Sequence, residues 1–229
     1  MPMILAIESS SHVGAIAFVR FGDGSAAAFG EVVRNEIKLS AWMLPAVQRV
    51  LAEANVCGAD IDAIAFGAGP GSFSGVRTAC ATAQALAYAW QKPLISVDSL
   101  EALAEASALP RVTVAIDARM QEIYVASFAR NEVGALDRVS QTSVCSPELF
   151  ASHENMAVLG SGAHLINHAL HTASVEQTDH AESNWAHGVA RVATRKLALG
   201  QVTPASEAEP FYVRNNVAQT EAERAAARL

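Results

Sequence analysis

The sequence predicts an α/β protein built of two similar lobes, and three observations lead there. The chain opens with three strand-like runs, then helix, strand and helix, and that order returns less clearly after residue 110 without sequence identity between the halves. The early runs are bounded by Ser, Gly and Asp clusters, the pattern of an antiparallel meander. At 229 residues and 51% hydrophobic content the chain is long and apolar enough for one large domain or two lobes with real cores.

Each element has a local reason. Residues 3–7 (MILAI) form a continuous apolar run, ending in the polar turn Glu8-Ser9-Ser10-Ser11-His12. Residues 13–20 and 26–33 supply two more strands across the turn at 21–24. Ser40 is placed to cap a helix in which Trp42, Met43, Ala46, Val47, Val50, Leu51 and Ala54 recur at helical spacing, with Gly58 at its end. A strand at 61–66 runs into Gly67-Ala68-Gly69-Pro70-Gly71-Ser72-Phe73-Ser74-Gly75. An alanine-rich helix then spans 74–90 and stops before Pro93. A strand at 94–97 and a helix at 100–108, capped by Ser99, complete the first half. Strands at 112–116, 123–128 and about 139–144 begin the second. A short helix follows Pro147, then a strand at 157–159, and helices at 163–170 and 185–199. Each lobe thus opens on a hairpin with a polar turn, and a ligand between the lobes would touch both turns.

Composition excludes several classes. No stretch of about 18 charge-free apolar residues exists, so no membrane span is expected. The first ten residues carry Glu8 and lack the basic start of a signal peptide, which points to the cytoplasm. Sixteen basic residues against 23 acidic ones leave a net charge of -7, without the basic footprint of a protein that binds nucleic acid unaided. Cys57, Cys80 and Cys145 are odd in number and widely spaced, and fit neither a disulfide framework nor a zinc ribbon.

The glycine-rich segment 67–75 carries two readings. A helix N-terminus behind small residues suits a phosphate or carboxylate, and Ser72 or Ser74 could cap that helix. The same residues also make a plain tight turn from strand to helix. It is not a Walker A loop, since no Lys-Ser/Thr follows. His164, His168 and His171 lie four and three apart, a spacing that suits zinc or iron. No cysteine completes that set, and a polar helix face explains it as well. No G-x-S-x-G elbow and no H-E-x-x-H occurs. The alanine-rich helix is apolar nearly all round, with Thr82 and Gln84 its clearly polar positions between Thr78 and Trp90. A helix apolar on two sides needs a second partner beyond its own sheet.

The string FGAGPGSFSGVRTACATAQALA closely resembles the signature of the TsaB (YeaZ) family. MILAIESSSHVGAIAF, VDSLEALA, AIDARMQEIYVA and EPFYVRNNVA are similar to its other landmarks and follow in its order over nearly the whole chain. The resemblance implies an actin-like (ASKHA) fold of two ribonuclease-H-like lobes, at residues 1–108 and 109–204, with a tail at 205–229 packing back on the first. It implies a non-catalytic scaffold subunit, required with TsaD and the ATPase TsaE to form N6-threonylcarbamoyladenosine at tRNA position 37. The alternative is a stand-alone ATP-dependent enzyme of the actin-like fold, a small-molecule kinase or ATPase.

The resemblance also sets expectations for sites. A TsaD-type metal pair would fall at residues 35–45, where no histidine occurs, so neither a catalytic residue nor a metal is expected. Relatives often carry a histidine near Leu39, and this chain does not. Glu8 to His12 corresponds to the first phosphate loop of actin-like ATPases; Ser9, Ser10 and Ser11 would be a degenerate remnant, and no cofactor is expected. Gly160-Ser161-Gly162, where such folds touch adenosine, and Asp117 complete that remnant. The two helices beside the glycine-rich segment would meet the same pair of a second subunit, in a TsaD heterodimer or a homodimer. Trp42, Met43, Val47, Val76, Ala79, Cys80, Ala83 and Ala87 are the expected interface residues. tRNA would be held only through the complex.

Overall fold

The computed structural model describes residues 2–22, 26–34, 38–150, 156–170 and 184–213. Its first sheet has the order β3-β2-β1-β4-β5, from β1 (Met3–Glu8), β2 (Val13–Phe21), β3 (Ala26–Arg34), β4 (Ala63–Gly69) and β5 (Leu94–Asp98). The first three strands form an antiparallel meander, while β4 joins β1, and β5 joins β4, in parallel. α1 (Leu39–Glu53), α2 (Phe73–Trp90) and α3 (Ser99–Ser107) supply the connections.

The second sheet repeats the opening of this plan. β6 (Arg111–Arg119) and β7 (Glu122–Arg130) form an antiparallel hairpin, and β10 (Ala157–Leu159) adds to β6 in parallel. The expected third strand at 139–144 is instead two short strands, β8 (Leu136–Arg138) and β9 (Ser143–Cys145), each pairing with β7. The break falls where Ser140 Oγ accepts from the Ser127 amide, so a side chain takes over the ladder bond. α4 (Ala163–Leu170) follows β10, and α5 (Trp185–Ala198) is the last α-helix among the described residues. Two such sheets are the actin-like plan of paired ribonuclease-H-like lobes. Among the described residues no helix is long and apolar enough to cross a membrane.

Strand alternation assigns the two faces of the first sheet to different partners. Leu5, Ile7, Ile16, Phe18, Ile64 and Phe66 face α1 and α2. Ile4, Ala6, Ala15, Ala17, Ala63 and Ala65 face the other way, into a core shared with the second sheet. That face is mostly alanine because α3 and α5 lie close upon it, themselves lined by Ala102, Gly188, Ala190 and Ala193. α5, which follows the second sheet in sequence, therefore covers the first. Fully buried Trp185 ties it down by donating from Nε1 to the Ser99 carbonyl at 2.8 Å.

Three expected helix signals moved. α1 begins at Leu39 behind Lys38, so Ser40 lies inside the helix and does not cap it. α1 ends at Ala54, and Gly58 opens a separate single turn. The cap of α3 is Asp98, whose Oδ1 accepts from the Leu100 and Glu101 amides. Ser99 is thereby released for another partner. Ser72 does cap α2, accepting from the Gly75 amide at 3.4 Å.

Candidate functional site

The first loop and the glycine-rich segment meet at the ends of β1 and β4. Glu8, Ser9, Ser10 and Ser11 are 0%, 0%, 0% and 8% exposed. Glu8 Oε1 accepts from the Ser10 amide at 2.6 Å, and Oε2 accepts from Ser99 Oγ at 2.9 Å. Ser99 Oγ in turn accepts from the Gly69 amide at 3.2 Å. Ser9 Oγ donates to the Gly75 carbonyl at 2.8 Å, and the Ser72 amide donates to the Ser10 carbonyl at 2.6 Å. Ser11 Oγ accepts from the Val13 amide. A methyl group on Gly71 or Gly75 would overlap the Ser10 or Ser9 carbonyl, which explains glycine at both positions.

This arrangement is a lock between two loops, joined by the Ser9 hydroxyl and the Ser72 amide. A phosphate cradle needs backbone amides aimed at open space. Here the amide of Ser72 and the hydroxyls of Ser9 and Ser11 are all engaged within the chain. Burial pushes the Glu8 carboxyl above its ordinary pKa, opposed by hydrogen bonds from Ser10, Ser99 and Ser9. Ser10 Oγ stands beside it, fully buried, without a well-formed hydrogen bond among the described residues. The carboxyl thereby ties the first loop to Ser99 at the start of α3.

The second hairpin carries a tight turn. Arg119, Met120 and Gln121 all have positive φ, at 63°, 56° and 60°. Asp117 Oδ1 holds the turn by accepting from the Arg119 amide at 2.7 Å. The Asp117 amide donates to Ser161 Oγ at 3.2 Å, so the glycine-flanked Ser161 is in use as well. His164 is exposed, while the side chain of His168 and all of His171 lie outside the described residues. Among the described residues no three His, Cys, Asp or Glu side chains gather as a metal site. His187 is half-buried: its ring packs near Gly30, its Nδ1 is buried without a partner among the described residues, and desolvation lowers its pKa.

The expected interface residues require correction. Trp42, Met43, Val47, Val76, Ala79, Cys80, Ala83 and Ala87 are all buried within this chain, between 0% and 6% exposed. All but Val76 belong to the cluster that joins α1 and α2 to the large residues of the first sheet, and Cys80 also reaches the Ala208 carbonyl. A second subunit cannot reach them in this fold. The outer side of α2 instead shows Arg77, Ala81, Ala85, Tyr88 and Ala89, with Tyr88 84% exposed. Ala41, Leu44 and Pro45 are exposed on α1. The helix is indeed apolar on two sides, and the stripe available to a partner is the second one.

Residues 205–213 belong to the tail expected to pack back on the first lobe. They run along α2 as a strap. Gln84 Nε2 donates to the carbonyls of Ala205 and Ala208, at 2.9 and 3.0 Å. The Phe211 amide donates to the Ala68 carbonyl at 2.6 Å, and Arg77 Nε donates to the Tyr212 hydroxyl at 2.9 Å. Residues 214–229 of that tail lie outside the described residues. The polar pair Arg77 and Gln84, one helical face in an otherwise apolar helix, was the available signal.

Comparison with known proteins follows the same lines. Residues 35–222 match the family model described as "TsaD: tRNA N6-adenosine threonylcarbamoyltransferase". The tRNA threonylcarbamoyladenosine biosynthesis protein TsaB of Escherichia coli is 33% identical over 227 residues, covering 94% of this chain and 96% of that one. The protein of the same name from Haemophilus influenzae is 31% identical over 193 residues, covering 76% and 79%. The solved structure of YeaZ from Pseudomonas aeruginosa superposes with a TM-score of 0.78 at 30% identity, over 93% of this chain and all of that one.

Proposed function

The chain belongs to the TsaB (YeaZ) family, within the wider family that the threonylcarbamoyltransferase model describes, and from that premise we propose that it is the non-catalytic scaffold subunit for threonylcarbamoyladenosine formation on tRNA. It docks TsaD through the outer side of α1 and α2, works with TsaE, and meets tRNA only in the complex. Alone it pairs with a second copy through the same surface. Its two lobes divide near residue 108, with α5 shared between them, and it acts in the cytoplasm.

One observation carries the non-catalytic role. The loop that would hold a nucleotide's phosphates is packed shut by Ser9, Ser10, Ser72 and Gly75 of the chain itself. The Ser9 and Ser11 hydroxyls are bonded within the chain and Ser10 is fully buried, so alanine at Ser9, Ser10 or Ser11 is expected to leave threonylcarbamoyl transfer within a few-fold of the wild type. The measurement is the transfer rate in a complex reconstituted from purified subunits. A loss near a thousand-fold with the complex still assembled, the size expected for a lost transition-state contact, would contradict the scaffold role. Micromolar binding and turnover of ATP by the isolated chain would favour the stand-alone enzyme.

A further inference from the structure

α2 holds one charged residue in eighteen, Arg77, and it sits on the outer side in register with Ala81, Ala85 and Ala89. Its guanidinium lies 3.8 Å from the centre of the Phe73 ring, and its Nε donates to the Tyr212 hydroxyl at 2.9 Å. Among the described residues neither terminal nitrogen of Arg77 has a hydrogen-bond partner. We infer that Arg77 is the polar anchor of the docking face, held in a fixed pose by Phe73 and Tyr212 to receive a carboxylate of the partner protein.

The pose is the core of the inference, which rests on the docking role proposed above. A free arginine loses much rotamer freedom when it binds, and that loss subtracts from affinity. Stacking on Phe73 and the bond to Tyr212 fix the side chain before any partner arrives. Nε is spent, which leaves the two terminal nitrogens to grip a carboxylate as a fork. Tyr212 belongs to the strap, so residues 205–213 help build the docking face by positioning Arg77.

The surroundings favour a protein carboxylate over an RNA phosphate. Phosphate-binding surfaces gather several cations, whereas among the described residues this one shows a single arginine among Phe, Tyr and Ala, on a chain of net charge -7. Arginine beside exposed aromatics is the composition of a protein hot spot. Charge complementarity and continuity with the row of alanines name the occupant: an acidic side chain on a partner helix crossing α2.

The test is the affinity of each variant for TsaD from the same genome, with thermal melting to confirm folding. R77A is expected to bind roughly thirty- to a hundred-fold more weakly, as when one member of a desolvated charge pair is removed. R77K recovers little of that loss, because an ammonium lacks the planar fork. Y212F costs about three- to ten-fold in the wild-type background and nothing beside R77A, since Tyr212 acts through Arg77. Full-strength binding by R77A, while A85R abolishes binding, overturns the anchor and leaves the docking face standing. Full-strength binding by A85R overturns both. Equal costs of Y212F with and without Arg77 overturn the positioning role. Loss of tRNA retention by the assembled complex with protein affinity unchanged overturns the carboxylate in favour of phosphate.

Discussion

At Glu8, burial and hydrogen bonding pull the carboxyl in opposite directions, and burial wins. The folded protein therefore holds this proton to a higher pH than the unfolded chain does. The resulting stability is fully present below the ordinary carboxylate pKa and is lost as pH rises through the folded value. E8Q replaces the acid with a neutral group of the same shape and removes that loss. The melting temperature of E8Q relative to wild type is thus expected to climb with pH from the carboxylate range upward, then level off. A difference that stays constant with pH would mean that Glu8 titrates alike in both states. The sequence marks Glu8 as the acid of a polar turn, but it gives no sign of the burial. That depends on Ser99, ninety-one positions away, which Asp98 frees by taking over the cap of α3.

α2 shows how far a periodic pattern reaches. Its alanines at 79, 83 and 87 and those at 81, 85 and 89 have the same spacing, so periodicity alone does not say which row faces the sheet. The structure seats the first row against Phe18, Ile64 and Phe66, whereas the second row faces outward from the lone charge at Arg77. Two arginine variants separate the rows. A83R buries a long cation against the sheet, at a cost of several kcal/mol, and is expected to unfold or to melt far below wild type. A85R is expected to melt within a few degrees of wild type. Circular dichroism over a thermal ramp makes the comparison. The reverse order of stability would restore Ala83 to the outer face. The strand runs, the order of elements and both hairpins were legible, because alternation and turn residues are local signals. Caps were less so: Ser40 and Ser99 are good cap residues that lie two positions and one position past the actual caps, Lys38 and Asp98.

Over the whole molecule, the shared core between the sheets explains why a short second half is stable. β8, β9 and β10 have three residues each, too few to bury a face alone. α3 and α5 fill the space against the first sheet, and a chain of ion pairs runs along α3. Asp98 meets Arg138 at 3.0 Å, and Glu105 meets Arg195 at 3.3 Å and Arg130 at 3.5 Å. None of these cross-lobe pairs was legible in the sequence, since their members lie twenty-five to ninety positions apart. With the lobes joined this way and the first loop locked, the proposed scaffold role falls to the outer α1–α2 side. The rate of threonylcarbamoyladenosine formation in the reconstituted system tests that claim most directly, with A85R in place of the wild-type chain. The account predicts a folded A85R protein that fails to support modification at concentrations where wild type saturates. Full activity from folded A85R at those concentrations would contradict it.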